Sequence, residues 1–198
     1  MKKDSTHLAL LVDRSGSMSA IREDAEGGLK QLIADQRALP GELTIELFQF
    51  DTEYEKVDDV DAWTLVPRGM TALLDAMGKS ITEVGEGLAA RHEDDRPEKV
   101  IFVIVTDGLE NSSREWTREK VFESVKRQTD EYGWQFVFSA ANQDAVAEGS
   151  SLGVRSNMNY AATGAGTQSA YATMSSSIGA FRGGDTADVS VPENAPEE

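Results

Sequence analysis

"LVDRSGSMSA", residues 11–20, decides how this chain is read. The apolar run Leu8–Val12 stops at a carboxylate, Asp13, and a glycine and three serines follow within residues 13–19. A run that short and continuous fits a strand buried on both faces, the kind found in parallel sheets. Asp13 and the hydroxyls then sit at the strand's carboxyl end, where open parallel sheets bind their ligands. A phosphatase, a metal site and a plain turn can each be written this way. The discrimination has to come from the rest of the chain.

Working outward, apolar runs alternate with helix-period segments. Residues 20–37 place Ile21, Ala25, Leu29, Leu32 and Ile33 on one helical face. Gly27-Gly28 inside that helix costs about 1 kcal/mol per glycine relative to alanine, a cost that close packing against a sheet would explain. Pro40-Gly41 ends the segment. "ELTIELFQF", 42–50, reads as a second strand, and the polar "YEKVDDV", 54–60, as an antiparallel edge strand beside it. Leu74, Met77, Ile81, Val84 and Leu88 mark a helix over 71–90. "KVIFVIVTD", 99–107, is the strongest strand, continuous and β-branched. Trp116, Phe122, Val125 and Tyr132 mark a third helix, and "WQFVFSA", 134–140, another buried strand. "NQDAVAEGSSLG", 142–153, reads as a short helix and "SNMNYAA", 156–162, as a final strand. Thr163 can cap a last helix running to about Phe181.

This order predicts an α/β fold: a doubly wound, mostly parallel sheet with one antiparallel edge strand and helices on both faces. Residues 1–182 read as one domain. The remainder, 183–198, carries Asp185, Asp188, Glu193, Glu197 and Glu198 without a Lys or Arg, and its composition predicts a disordered acidic tail.

Composition narrows the function. The 198 residues carry a net charge of −16, which argues against a nucleic-acid partner, since such proteins present a basic face to phosphate. There is no cysteine, so disulfides, thiolate metal sites and cysteine nucleophiles are ruled out. No apolar run reaches the roughly 18 residues that cross a bilayer, and Leu8–Val12 is too short for the core of a signal peptide. The expectation is a soluble, cytoplasmic protein with no membrane association.

Asp13 follows "LALLV" and Asp107 follows "VIFVIVT". If the two strands are neighbours, these carboxylates converge. Ser15 and Ser17 can turn back towards Asp13, and Thr71 opens the helix after "VPRGM". Each residue alone has an ordinary explanation as a cap or turn. Jointly they supply only oxygen donors, which suit a hard cation such as Mg²⁺. Two carboxylates balance the ion's charge, while neutral hydroxyls leave it electron-poor and open to an incoming carboxylate.

"DRSGS" resembles the Asp-x-Ser-x-Ser motif of the von Willebrand factor A domain family, which carries a metal-ion-dependent adhesion site. "RGMTALLDAM" is similar to that family's Gly-Gly-Thr-Ala-Leu segment, and "VIVTDGLEN" to its strand ending in Thr-Asp-Gly. The resemblance spans roughly residues 7–182. It implies a Rossmann-like fold and assigns metal contact, direct or through water, to Asp13, Ser15, Ser17, Thr71 and Asp107. It implies Mg²⁺, with Mn²⁺ or Ca²⁺ as substitutes, and a protein partner that presents an Asp or Glu. Met70 departs from the family's glycine and is expected to restrict the loop before Thr71.

Competing motifs are weaker. Gly78-Lys79-Ser80 resembles the end of a P-loop but lies mid-helix, with Leu73 where a glycine is needed. "TGAGTQSA", 163–170, is half a dinucleotide fingerprint with no following strand. No Gly-x-Ser-x-Gly elbow exists, and neither His7 nor His92 lies near the metal motifs in sequence. A non-enzymatic binding module is therefore expected. A metal-dependent phosphohydrolase and a metal-stabilised structural module remain as alternatives.

Overall fold

The computed structural model describes residues 1–141 and 144–196. Asn142 and Gln143, at the start of the expected short helix, and Glu197 and Glu198, at the end of the tail, lie outside the described residues. The elements follow in the order β1 (Lys2–Asp13), α1 (Arg22–Ala38), β2 (Glu42–Phe50), β3 (Tyr54–Lys56), α2 (Leu73–Ala89), β4 (Pro97–Thr106), α3 (Arg118–Tyr132), β5 (Gln135–Ala141), α4 (Ala145–Ser151), β6 (Ser156–Tyr160) and α5 (Gly164–Gly183). They build a six-stranded sheet in the order β3-β2-β1-β4-β5-β6. Only β3 runs antiparallel, pairing with β2 through Phe48↔Lys56 to Phe50↔Tyr54. The predicted fold class is the one observed.

Strand order reverses between β1 and β4. These two pair in parallel from Thr6↔Lys99 to Val12↔Val105, which brings their carboxyl ends side by side. That is the switch point at which a crevice opens in doubly wound sheets. Successive β1 residues serve opposite cores. Leu8, Leu10 and Val12 pack with Leu29 and Leu32 of α1 and Met174 and Ile178 of α5. Ala9 and Leu11 pack with Met77, Ile81 and Val84 of α2 and Val121 and Val125 of α3. A strand buried on both faces has no polar positions to alternate with, hence the unbroken run.

The structure departs from expectation in three places. Gly28 is small because of a helix, not the sheet: a Cβ there would stand 2.4 Å from the Tyr171 ring of α5, whereas Gly27 faces open space. In α3 the buried residues are Val121 and Val125, while Phe122 and Tyr132, two of the residues that mark this helix in the sequence, are exposed. The acidic tail, expected to be disordered, lies against the β6 edge. The Asn159 N–H donates to Glu193 O (2.7 Å), and the Ala195 N–H to Asn159 O (2.8 Å). The Val191 N–H donates to Ser156 Oγ (3.0 Å), and Val189 and Val191 are buried against the α1–α5 core. The segment's charge hid two valines that reach the core, and β6 offered an unpaired edge.

Candidate metal centre

The switch point is lined by the loops after β1 and β4 and the start of α2. Asp13 ends β1 with no exposed surface. The Ser15 N–H donates to its Oδ1 (2.6 Å) and the Thr106 hydroxyl to its Oδ2 (2.6 Å). Residues 16–20 form a single 3-10 turn, pinned by buried Met18 and by the Met18 N–H on Ser15 O. That turn carries Ser15 and Ser17 on the same side, with their hydroxyls 3.0 Å apart. Ser17 Oγ then donates to Asp107 Oδ1 (2.6 Å), across 90 residues of sequence.

Thr71 is fixed by the loop after β4: its N–H donates to Asn111 Oδ1 (3.0 Å), and the Asn111 N–H returns to Thr71 O (3.0 Å). Gly108 shows how tightly the group closes. A Cβ there would lie 2.7 Å from Thr71 Oγ1, 3.4 Å from Ser17 Oγ and 3.5 Å from Asp13 Oδ2. All five residues singled out in the sequence therefore converge on one small volume. Asp13, Ser15 and Thr71 form its buried floor, Asp107 is half-buried, and Ser17 is exposed at the rim.

The electrostatics suit a cation. Burial pushes the Asp13 carboxyl up to about 6, against the opposing hydrogen bonds from Thr106 and Ser15, and the Asp107 charge adds to the rise. Burial raises Asp107 as well, against the hydrogen bond from Ser17. Among the described residues, no Lys or Arg is a leading cause of either shift. Two desolvated carboxylates without a cationic side chain are an arrangement that a divalent ion relieves. The donors are all hard oxygens, so the residues fit Mg²⁺ or a similar ion. Among the described residues, no three His, Cys, Asp or Glu side chains gather into a ligand cluster. Hydroxyls fill the places that further acids or imidazoles would otherwise occupy.

Met70 stands in the loop before Thr71. It is absent from the residues with positive φ, its side chain is exposed, and its N–H donates to Thr52 Oγ1 (3.1 Å). The position that requires glycine is Gly69, at φ +67°. Several supporting residues escaped the sequence reading. Asp75, in the first turn of α2, accepts from the N–H groups of Arg114, Glu115 and Trp116, each at 2.8–2.9 Å. Glu110 returns the contact by accepting from the Leu74 N–H (2.9 Å). These bonds lock the β4–α3 loop to the start of α2, so Asp107 and Thr71 are held as one unit.

Comparison with known proteins bears on the fold. No protein-family model matches the sequence, and no curated protein matches it. Solved structures do. A von Willebrand factor type A protein from Catenulispora acidiphila superposes with a TM-score of 0.61 at 12% identity, covering 87% of this chain and 42% of that one. This is a von Willebrand factor A fold. The same fold is met in the pilus adhesin SpaC of Lactobacillus rhamnosus GG, with a TM-score of 0.64 at 13% identity, covering 91% of this chain and 30% of that one. It is met again in proximal thread matrix protein 1 of the mussel byssus, solved with a zinc-occupied MIDAS motif. There the TM-score is 0.56 at 15% identity, covering 81% of this chain and 42% of that one. The chain thus spans less than half the length of each of these proteins. Among the described residues, no helix is long and apolar enough to cross a membrane.

Proposed function

We propose that this von Willebrand factor A-like chain is a metal-dependent protein-binding module. Asp13, Ser15, Ser17, Thr71 and Asp107 would hold a divalent cation, Mg²⁺ or in its place Mn²⁺ or Ca²⁺. A bound ion would supply an open Lewis-acidic position for the Asp or Glu of a partner protein. The observation that carries this reading is the closure of Asp13, Ser17 and Thr71 around Gly108, with Ser15 and Asp107 joined to them through the Ser17 hydroxyl, and burial raising both carboxylates. A pilus adhesin and a byssus thread matrix protein with a zinc-occupied MIDAS motif, both among the structural neighbours, support it.

The reading favours binding over hydrolysis because of what surrounds the site. His7 is buried on β1 and bonded to Thr44 Oγ1, and His92 caps an exposed turn. Neither stands among the groups that contact Asp13, Thr71 or Asp107, so the site's own residues offer no imidazole for proton transfer. The side chains here orient and neutralise.

Thermal unfolding with and without Mg²⁺ tests the metal. At about 100 times its dissociation constant, a ligand of the folded state alone adds roughly 2.7 kcal/mol, worth about 5–11 °C for a domain of this size. Asp13→Ala and Asp107→Ala should each abolish that gain. A gain that persists in both variants would place the ion elsewhere.

A further inference from the structure

A third carboxylate, Asp51, ends β2 next to Asp13, yet it is built into the fold quite differently. It is 2% exposed. Its Oδ2 accepts from Arg14 Nε (3.1 Å) and Arg68 Nε (2.7 Å), and its Oδ1 from the Glu53 N–H (2.7 Å). Its main-chain oxygen accepts from the Ala72 N–H (2.9 Å). Two guanidinium groups therefore hold its charge, and they are shared with Glu55 on Arg14 and Glu53 on Arg68. Arg14 and Arg68 belong to the two segments that carry the candidate ligands: Arg14 lies between Asp13 and Ser15, and Arg68 three residues before Thr71.

Main-chain bonds run along the same seam. The Arg14 N–H donates to Phe50 O (2.7 Å), the Arg68 N–H to Arg14 O (2.7 Å) and the Gly16 N–H to Gly69 O (3.2 Å). At Gly69 a side chain would meet Asp51 Cβ and Cγ at 3.2 Å, so the loop passes directly over the carboxylate. Thr71 is thus gripped by Asp51 from both sides, through Arg68 upstream and the Ala72 N–H downstream.

We propose that Asp51 is a positioning residue for the metal site, and that the Arg14–Asp51–Arg68 bridge sets the distance between the Thr71 hydroxyl and the Ser15–Ser17 turn. This rests on the metal-binding reading above. Groups that orient metal ligands typically alter affinity by about 10–100-fold when removed. The Arg68 side chain is 52% exposed, so Arg68→Gln opens the bridge while leaving the buried Arg14–Asp51 pair intact.

The test is Mn²⁺ binding by calorimetry and by its electron paramagnetic resonance signal, on the full chain. Arg68→Gln should weaken Mn²⁺ by about 10-fold, Arg68→Lys should recover part of the loss, and melting in EDTA should match the parent. Asp51→Asn, which loosens both arginines, should weaken Mn²⁺ further. If it fails to fold, Arg68→Gln decides alone. A purely structural bridge would lower the EDTA melting temperature and leave the affinity of the folded protein untouched, and that result overturns the proposal. Parent-like Mn²⁺ affinity in Arg68→Gln overturns it too, with the metal reading intact. A parent chain that takes up Mn²⁺ no better than Asp13→Ala defeats the metal reading, and this proposal with it.

Discussion

Gly108 and Ser15 show how single positions set the site's chemistry. Gly108 leaves no room for a side chain, and a methyl there would stand 2.7 Å from Thr71 Oγ1. Gly108→Ala is expected to keep the far-ultraviolet circular dichroism of the parent while abolishing the Mg²⁺-dependent rise in melting temperature. Ser15→Asp probes why hydroxyls stand where acids could. An added anion about 4 Å from an incoming carboxylate repels it by roughly 4 kcal/mol at an effective dielectric near 20, while the cation itself is attracted. Metal titration should therefore tighten or hold, and binding of a Glu-containing peptide should fall. If both fall together, the substitution has merely distorted the turn. The five candidate ligands were legible because each stands at a strand end or helix start, where position alone points into the crevice. Asp51 obeys the same rule, following "ELFQF", but what withdraws its charge is Arg14, 37 residues away, and no local pattern announces that. Thr106 and Asn111 were hidden for the same reason, since their partners lie 93 and 40 residues distant.

Among the elements, the β1–β2–β3 flank carries a polar chain of its own, running from buried His7 to exposed Lys56. Glu46 of β2 lies 3.5 Å from His7 Nε2 of β1 and 2.9 Å from Lys56 Nζ of β3. The facing His7 imidazole, with help from Lys56, holds its carboxyl at about 2, below the ordinary 4.5. A folded value below the unfolded one means stability that is present above pH 4.5 and lost as pH falls towards 2, worth about 3 kcal/mol at most. In urea titrations, the stability difference between parent and Glu46→Gln should shrink steadily across that window. A constant difference would remove Glu46 from the acid transition. Element identity was well marked in the sequence because strand runs and helical periods are local. The inward face of α3 was not, because Phe122 beside Val121 offers a hydrophobic signal one residue out of phase, and only the sheet decides which of them is covered.

At the scale of the whole molecule, the tail closes what the sheet leaves open. Val189 and Val191 sit in the α1–α5 core, and burial of that kind is worth about 2–4 kcal/mol for the pair, allowing for residual burial in the unfolded chain. Deleting residues 185–198 should lower the urea midpoint accordingly and leave the Mg²⁺ increment unchanged, because the proposed site is at β1 and β4. An unchanged midpoint would show that the contacts contribute nothing. Composition could not reveal this docking, since two valines among acids register as charge. The pairing of β1 with β4 carries a further consequence, in the order of folding. Asp13 and the Thr106 hydroxyl that orients it are 93 residues apart, so no local segment can assemble the site. Contacts of such separation pay their loop-closure entropy before they repay it, and they form slowly. Cation uptake during refolding would therefore be a clock for the central strand pair: an ion captured at the proposed site would report that a contact spanning 93 residues has already been made.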